Sequence, residues 1–254
     1  MKIHVRVGQG LLVLALVVGM LVSAFGAAPA SANPAPPTAP LANALRISQV
    51  YGGGGGSGYY LYDYAEVFNS GLSPVTLTGW SLQYGSATGN FAASTSNLYA
   101  FPAGTTIPAG KYLLVQLGAA GTSGLSLPAT PDLTTTNLAM SQSNGKIALA
   151  NIATTLGCGA TATPCSLPDS RIVDLTAWGT SNNAEGGVSI NNGAALTNQQ
   201  GGVRKGGGCQ DTDNNNADFD VLAGALLVPR NSSSSANVCS SGDAAPFVSS
   251  TTPT

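Results

Sequence analysis

Between residues 211 and 218 oxygen-bearing side chains recur at short spacing: Asp211, Asp213 and Asn215 alternate, and Asp218 follows. Calcium takes about six to eight oxygen ligands, and alternating carboxylates and amides let a short loop wrap the ion. These four residues are therefore the candidate metal ligands, with calcium the one cofactor the sequence suggests. An EF-hand loop beginning at Asp211 requires glycine at 216 and glutamate at 222; Asn216 and Leu222 stand there, so that motif is excluded. The same side chains cap turns by binding their own backbone, and that is the preferred reading of the loop.

Paired carboxylates are the second chemistry. A glycosidase-type hydrolase needs two of them flanking one cleft, about 5–10 Å apart. Asp63 with Glu66 and Asp174 with Glu185 are the pairs to consider. Residues three apart in a strand point to opposite faces, which argues against the first pair. The one histidine, His4, lies in a segment expected to be removed, and disulfide-bonded cysteines do not attack, so Ser-His-Asp and Cys-His arrangements are excluded. No residue is assigned as catalytic.

The third chemistry is recognition. Tyr59, Tyr60, Tyr62 and Tyr64 cluster beside the glycine run Gly52 to Gly56. Tyr60, Tyr62 and Tyr64 share a face if the strand is regular, and exposed tyrosines stack on sugars or meet a protein partner. Alternating tyrosines also suit a half-buried strand, and that plainer reading is preferred. The glycine run is not a phosphate loop: no Gly-Lys-Ser/Thr follows it and no helical pattern receives it.

The elements that position these residues are short strands. Apolar residues recur at period two at Val50, Ala65, Val67, Val75 and Leu77, the pattern of a sheet with one buried face. Leu45 to Tyr51, Tyr59 to Asn69, Val75 to Tyr84, Leu98 to Phe101, Lys111 to Leu117, Lys146 to Ala150, Arg171 to Trp178, Gly201 to Cys209 and Ala217 to Val221 read as strands, split by Gly/Pro/Asn turns. Trp80 is the expected core anchor. Ala119 to Asn137 is low in complexity and reads as a long surface loop. Arg204 and Lys205 are expected to flank an edge strand and discourage edge-to-edge pairing. Eight or nine such strands with no sustained helical stripe predict an all-β sandwich or barrel.

Residues 1–32 have the form of a cleaved signal peptide: Lys2 and Arg6, an apolar run from Gly10 to Phe25, then Ala30-Ser31-Ala32. Residues 33–43 are a Pro/Ala-rich flexible leader, 44–232 the sandwich, and 233–254 a polar tail containing Cys239. No second long apolar run, sorting motif or lipidation cysteine follows, so a secreted or cell-surface protein with no stable membrane span is expected. Of nine basic residues, Lys2 and Arg6 leave with the signal; seven then face eleven acids, a net charge of −4. That balance does not favour nucleic acid. Cys158, Cys165, Cys209 and Cys239 make an even set in an exported chain and read as two disulfides, with three pairings open. Sequential proximity favours Cys158–Cys165 and Cys209–Cys239; the absence of CxxC and of histidine speaks against zinc.

Ile47-Ser48-Gln49-Val50-Tyr51, Ala65-Glu66-Val67-Phe68-Asn69 and Val75-Thr76-Leu77-Thr78-Gly79-Trp80 resemble the bacterial branch of the lamin tail domain family. So do Thr106-Ile107-Pro108-Ala109-Gly110 leading to Tyr112-Leu113-Leu114-Val115, then Val173-Asp174-Leu175, Trp178-Gly179, Val203-Arg204-Lys205, Asp211 to Asn215 with Asp218-Phe219, and Pro229-Arg230-Asn231. The resemblance covers about residues 44–232. It implies an immunoglobulin-like β-sandwich with enlarged loops, a structural role for Glu66 and Asn69, and a non-enzymatic extracellular binding or surface-structural module whose partner is a protein or glycan. Bacterial relatives are exported, and some are joined to nucleases or phosphatases as adhesion or targeting modules. A calcium-dependent recognition module is the alternative, and a hydrolase using paired carboxylates comes third.

Overall fold

The computed structural model describes residues 44–239; the expected signal, the leader and the chain beyond Cys239 lie outside the described residues. Within them the strands run in order as β1 Leu45–Tyr51, β2 Ser57–Tyr60, β3 Asp63–Asn69, β4 Val75–Thr76, β5 Ser81–Gly85, β6 Leu98–Ala100 and β7 Thr106–Ile107. They continue with β8 Tyr112–Leu117, β9 Ser123–Leu125, β10 Leu133–Thr134, β11 Gly145–Ala150, β12 Ile172–Trp178, β13 Gln200–Arg204 and β14 Phe219–Ala223, with one helical turn, α1 Asn215–Asp218, before the last. The larger sheet has the order β10-β8-β3-β1-β13-β14 and the smaller β12-β11-β5-β6, while β2–β9 and β4–β7 form short ribbons. This is an all-β sandwich with the architecture of an immunoglobulin-like domain. No helix among the described residues is long and apolar enough to cross a membrane.

Period two explains the core. Ala65 and Val67 of β3 and Leu113 and Val115 of β8 meet Leu82, Ile147, Leu149 and Trp178 of the smaller sheet in one apolar cluster. In β1 the register skips between Ile47, opposite Val67, and Gln49, opposite Glu66, so Ser48 is a bulge. The extra residue lets both Ile47 and Val50 face the core although they are three apart. Trp178 is the tryptophan sealed in the interior, at 2% exposure, whereas Trp80 only packs partly against it. The expected anchor is thus corrected: Trp178 sits at the end of β12 opposite Gly145, where a Cβ would stand 2.7 Å from the indole.

The far face of the larger sheet is also covered. Residues 224–239 cross it as a strap: Asn237 donates its N–H to the Gly110 carbonyl, Lys111 reaches the Ser234 carbonyl, and Arg230 clamps Glu66. Contacts with the sandwich therefore continue past residue 232, beyond which the polar tail is expected. Cys209 is bonded to Cys239, which ties down the strap, and Cys158 to Cys165. Closing the longer loop is worth roughly 3–4 kcal/mol on the chain-entropy account. Beneath the strap and the 206–211 turn Arg46, Ser48, Gln49 and Glu66 are buried, so β1 and β3 are interior on both faces.

Two expectations about local placement are corrected. β13 lies between β1 and β14, so it is not an edge strand, and Arg204 is 1% exposed. Adjacent side chains alternate sides, which leaves Lys205 half-buried with its ammonium on the Ala217 carbonyl and sends Arg204 inward. Ala119 to Asn137 is not all loop: it carries β9 and β10, and β10 extends the larger sheet parallel to β8.

Candidate functional site

The 211–218 segment is built around an arginine. β13 pairs with β1 only at Gln49 and Val50, which leaves the Ile47 amide and carbonyl beyond its end. Asp174 of β12 accepts the Ile47 N–H at 2.6 Å, and Arg204 Nε donates to the Ile47 carbonyl at 3.0 Å. Arg204 Nη2 then reaches both Asp174 oxygens at 2.8 and 2.9 Å, while Nη1 reaches Asp211 at 3.1 Å and the Gln210 carbonyl at 3.2 Å. The guanidinium lies 4.6 Å over the Phe219 ring. Arg46 Nε holds the other Asp211 oxygen at 2.8 Å.

The four candidate calcium ligands do not converge on one point, although Asp211 and Asp218 both approach Arg204 Nη1, at 3.1 and 3.6 Å. Asp211 is held by the two arginines. Asp218 is buried and accepts the Thr212 N–H and hydroxyl, both at 2.8 Å, so it organises the turn that precedes it. Asn215 faces away, accepting the Ala177 N–H at 3.0 Å and donating to the Leu175 carbonyl and Glu185. Asp213 is exposed at φ 53°. The acidic group that does form is Asp174, Glu185 and Asp211, each offering an oxygen within 4.8 Å of the others, a geometry compatible with a cation. The positive charge present there is Arg204. Burial pushes the Asp174 carboxyl up to about 6 against the pull of Arg204. Burial and the neighbouring Asp174 charge raise Glu185 well above the usual carboxylate range.

The first carboxylate pair is separated, as strand parity requires. Asp63 Oδ1 accepts the Gly54 N–H at 2.8 Å and Oδ2 the Met140 N–H at 2.7 Å; burial outweighs both bonds and lifts its pKa to about 7. Glu66 lies on the opposite face, fully buried against Ser48, Gln49 and Arg230. Burial raises it too, with Arg230 opposing.

The tyrosines do not form one exposed face, because β2 ends at Tyr60, β3 begins at Asp63, and the chain bends between them. At the bend the Leu61 carbonyl accepts N–H groups from Gly55 at 3.1 Å and Gly121 at 2.7 Å. Tyr64 is sealed, stacks on Tyr51 at 5.6 Å and donates to Gln49. Tyr60 is buried edge-on to Tyr51 with its hydroxyl on the Leu227 carbonyl. Tyr59 is half-buried and packs edge-on against Tyr60. Tyr62, also half-buried, lines a groove of about 440 Å³ with Gln116, the Gly118–Ala120 turn and Thr134–Thr136.

The glycine run is what allows the bend. A Cβ at Gly54 would stand 2.2 Å from the Tyr62 carbonyl carbon, and one at Gly58 would stand 2.0 Å from the Gly53 oxygen. Close backbone approach, not ligand binding, explains these glycines. Sequence reasoning missed Gln116 and the threonines, which lie in or beside the stretch read as a loop; their one signal was the run Thr134-Thr135-Thr136.

A family model described as Lamin Tail Domain matches residues 38–160. The match ends before β12, β13 and β14, which complete the two sheets. No curated protein matches the chain. Among solved structures, a DUF4876 family protein from Bacteroides thetaiotaomicron VPI-5482 aligns over 70% of this chain and 70% of that chain, at 13% identity and a TM-score of 0.41.

Proposed function

We propose that this protein, whose residues 38–160 match the Lamin Tail Domain family model, is a non-catalytic extracellular recognition module. Export is supported by the signal-like residues 1–32 and by two disulfides, which suit an oxidising compartment. The observation that carries the reading is the division of polar groups. The buried carboxylates are spent on arginines and backbone amides, whereas the groove beside Tyr62 gathers Tyr62, Gln116, Thr134 and Thr136, whose polar side-chain groups have no hydrogen-bond partner among the described residues. A hydrolytic pair is poorly served by this arrangement: Asp174 and Glu185 do approach one another, but Arg204 holds Asp174, and Glu185 accepts the Leu175 N–H and the Asn215 amide.

A calcium-dependent version of the module draws support from the Asp174, Glu185 and Asp211 group. It is the weaker reading, because a guanidinium already supplies the charge that an ion would bring. The test of recognition is a binding isotherm of the labelled protein on immobilised cell-envelope polysaccharide and protein fractions, together with a turnover screen. Saturable binding that falls about tenfold in Tyr62→Ala, without turnover, is expected. Non-saturable binding, or binding indifferent to the groove, would overturn the reading.

A further inference from the structure

We propose that the groove beside Tyr62 is a binding site for a neutral saccharide. This rests on the recognition reading above and assigns its ligand class. The groove falls within the size range of small-molecule sites, about 300–1,000 Å³. Its lining side chains are uncharged. An ionic ligand would lose hydration there and gain no counter-charge, which is costly. Asp63, a neighbouring carboxylate, is buried behind Gly118 and committed to two backbone amides.

The available polar groups are of the dual kind that matches sugar hydroxyls. Among the described residues the hydroxyls of the buried Tyr51, Tyr60, Tyr64, Tyr84 and Tyr112 have internal partners, those of the half-buried Tyr59, Tyr62 and Tyr99 have none, and of these three Tyr62 is the one that lines the groove; the Gln83 amide is used at both ends. The Tyr62 hydroxyl, the Gln116 amide and the Thr134 and Thr136 hydroxyls have none, and Thr135 only accepts from the Asn137 N–H. Each of these groups both donates and accepts, as a sugar hydroxyl does. The Tyr62 ring and the methyl groups of Ala119, Ala120 and the threonines meet the C–H surface of a pyranose. An extended peptide added to the sheet is disfavoured here, because the bordering strand β10 has only two residues.

The walls are fixed before any ligand arrives. Asp63 pins the glycine loop through Gly54 and the 137–142 segment through Met140, and the Gly118 N–H is held by the Asn137 carbonyl at 2.8 Å. A site that needs no ordering on binding keeps more of its contact energy.

The experiment is a ¹H–¹⁵N NMR titration of the protein with soluble neutral oligosaccharides: hexaoses of β-linked glucose, xylose, mannose and N-acetylglucosamine, each to about 10 mM, the range of weak binding. At least one is expected to shift amides confined to residues 61–62, 116–120 and 134–137. Tyr62→Ala and Gln116→Ala should each weaken that binding about tenfold, and Tyr59→Ala should leave it unchanged. Thr136→Val, at an exposed position, carries the same test should Tyr62→Ala disturb the spectrum elsewhere. Silence of the groove toward all four sugars, or shifts that map elsewhere, overturns the proposal. If the sugars fail while Tyr62→Ala still abolishes binding to envelope protein fractions, the saccharide assignment falls and the recognition module stands; if both fail, both fall.

Discussion

Arg204→Met tests whether the interior is organised by one buried cation. Methionine keeps an unbranched apolar stem but removes the donors to both Asp174 oxygens, Asp211, and the Ile47 and Gln210 carbonyls. Removing one partner of a buried pair typically costs about 3–5 kcal/mol, because the other is left charged and unpaired. Here Asp174, at 3% exposure, is the closest such partner; the buried Asp218, 3.6 Å from Nη1, keeps its bonds to Thr212, and Arg46 remains to serve Asp211. The loss should depend on pH. Asp174 is already raised to about 6, so the native state retains a proton that the unfolded chain releases above about pH 4, and stability declines as pH rises through that window. Without Arg204 the carboxyl rises further and the window extends upward, so the variant should lose more at pH 8 than at pH 5. Urea unfolding of both proteins at the two pH values measures this. The double variant Arg204→Met, Asp174→Leu should recover part of the loss, since an apolar pair leaves no buried charge. A deficit below about 1 kcal/mol, or one equal at both pH values and unrelieved by Asp174→Leu, would show that Arg204 is not paired as described.

Three further outcomes are expected. Gly54→Ala should destabilise the fold by about 1–3 kcal/mol, read from the urea midpoint, because its Cβ meets the Tyr62 backbone rather than a side chain that could yield; an unchanged midpoint would refute the close approach. Asp63, raised to about 7 by burial, binds a proton in the native state between about pH 4 and 7 that the unfolded chain does not, so it contributes roughly 4 kcal/mol to a decline in stability as pH rises through that window. Asp63→Asn should remove that part of the slope, and an identical slope in the variant contradicts the assignment. Millimolar calcium should leave the thermal midpoint of the wild type within about 1 °C, because Arg204 supplies the counter-charge; a saturable rise that Asp211→Asn abolishes would restore the calcium reading.

The strands were legible because the sheet imposes period two on the residues that reach the core, and Val50, Ala65, Val67 and Val75 carry it plainly. Period two says which side a residue faces but not whether that side is wet. Arg46, Gln49 and Glu66 lie off the core cluster, and their burial comes from segments far away in the chain: the 209–211 turn meets Arg46, and the strap at 224–239 meets Gln49 and Glu66. The Ser48 bulge left no composition signal either, since what marks it is a partner strand one residue short. The 211–218 segment was legible only in part for a related reason: Asp218 and Asn214 bind their own turn, as the preferred reading has it, but the partner of Asp211 lies elsewhere in the chain. Its spacing suited an ion, but the charge it answers, Arg204, is brought in by β13 and is adjacent only in the fold.

The tyrosine cluster shows where local reading runs out and what replaces it. Four tyrosines in six positions look equivalent as a string, and the bend at Leu61–Tyr62 gives them different fates: two sealed, one packed edge-on to a neighbour, one facing the groove. That bend depends on glycines that let backbone touch backbone, so the glycine loop and the tyrosine face are one device. The groove's other wall comes from 116–120 and 134–136, where threonine and alanine carry almost no pattern of their own. Recognition surfaces built on loops are assembled from such unremarked residues, because selection there acts on what the groups leave unbonded, whereas in the core it acts on what they bury. The hydroxyls and amide beside Tyr62, unpaired among the described residues, are therefore a stronger pointer for the proposed recognition than Asp211 and Asp218, which are already bonded to arginines and to their own turn, or the isolated, exposed Asp213.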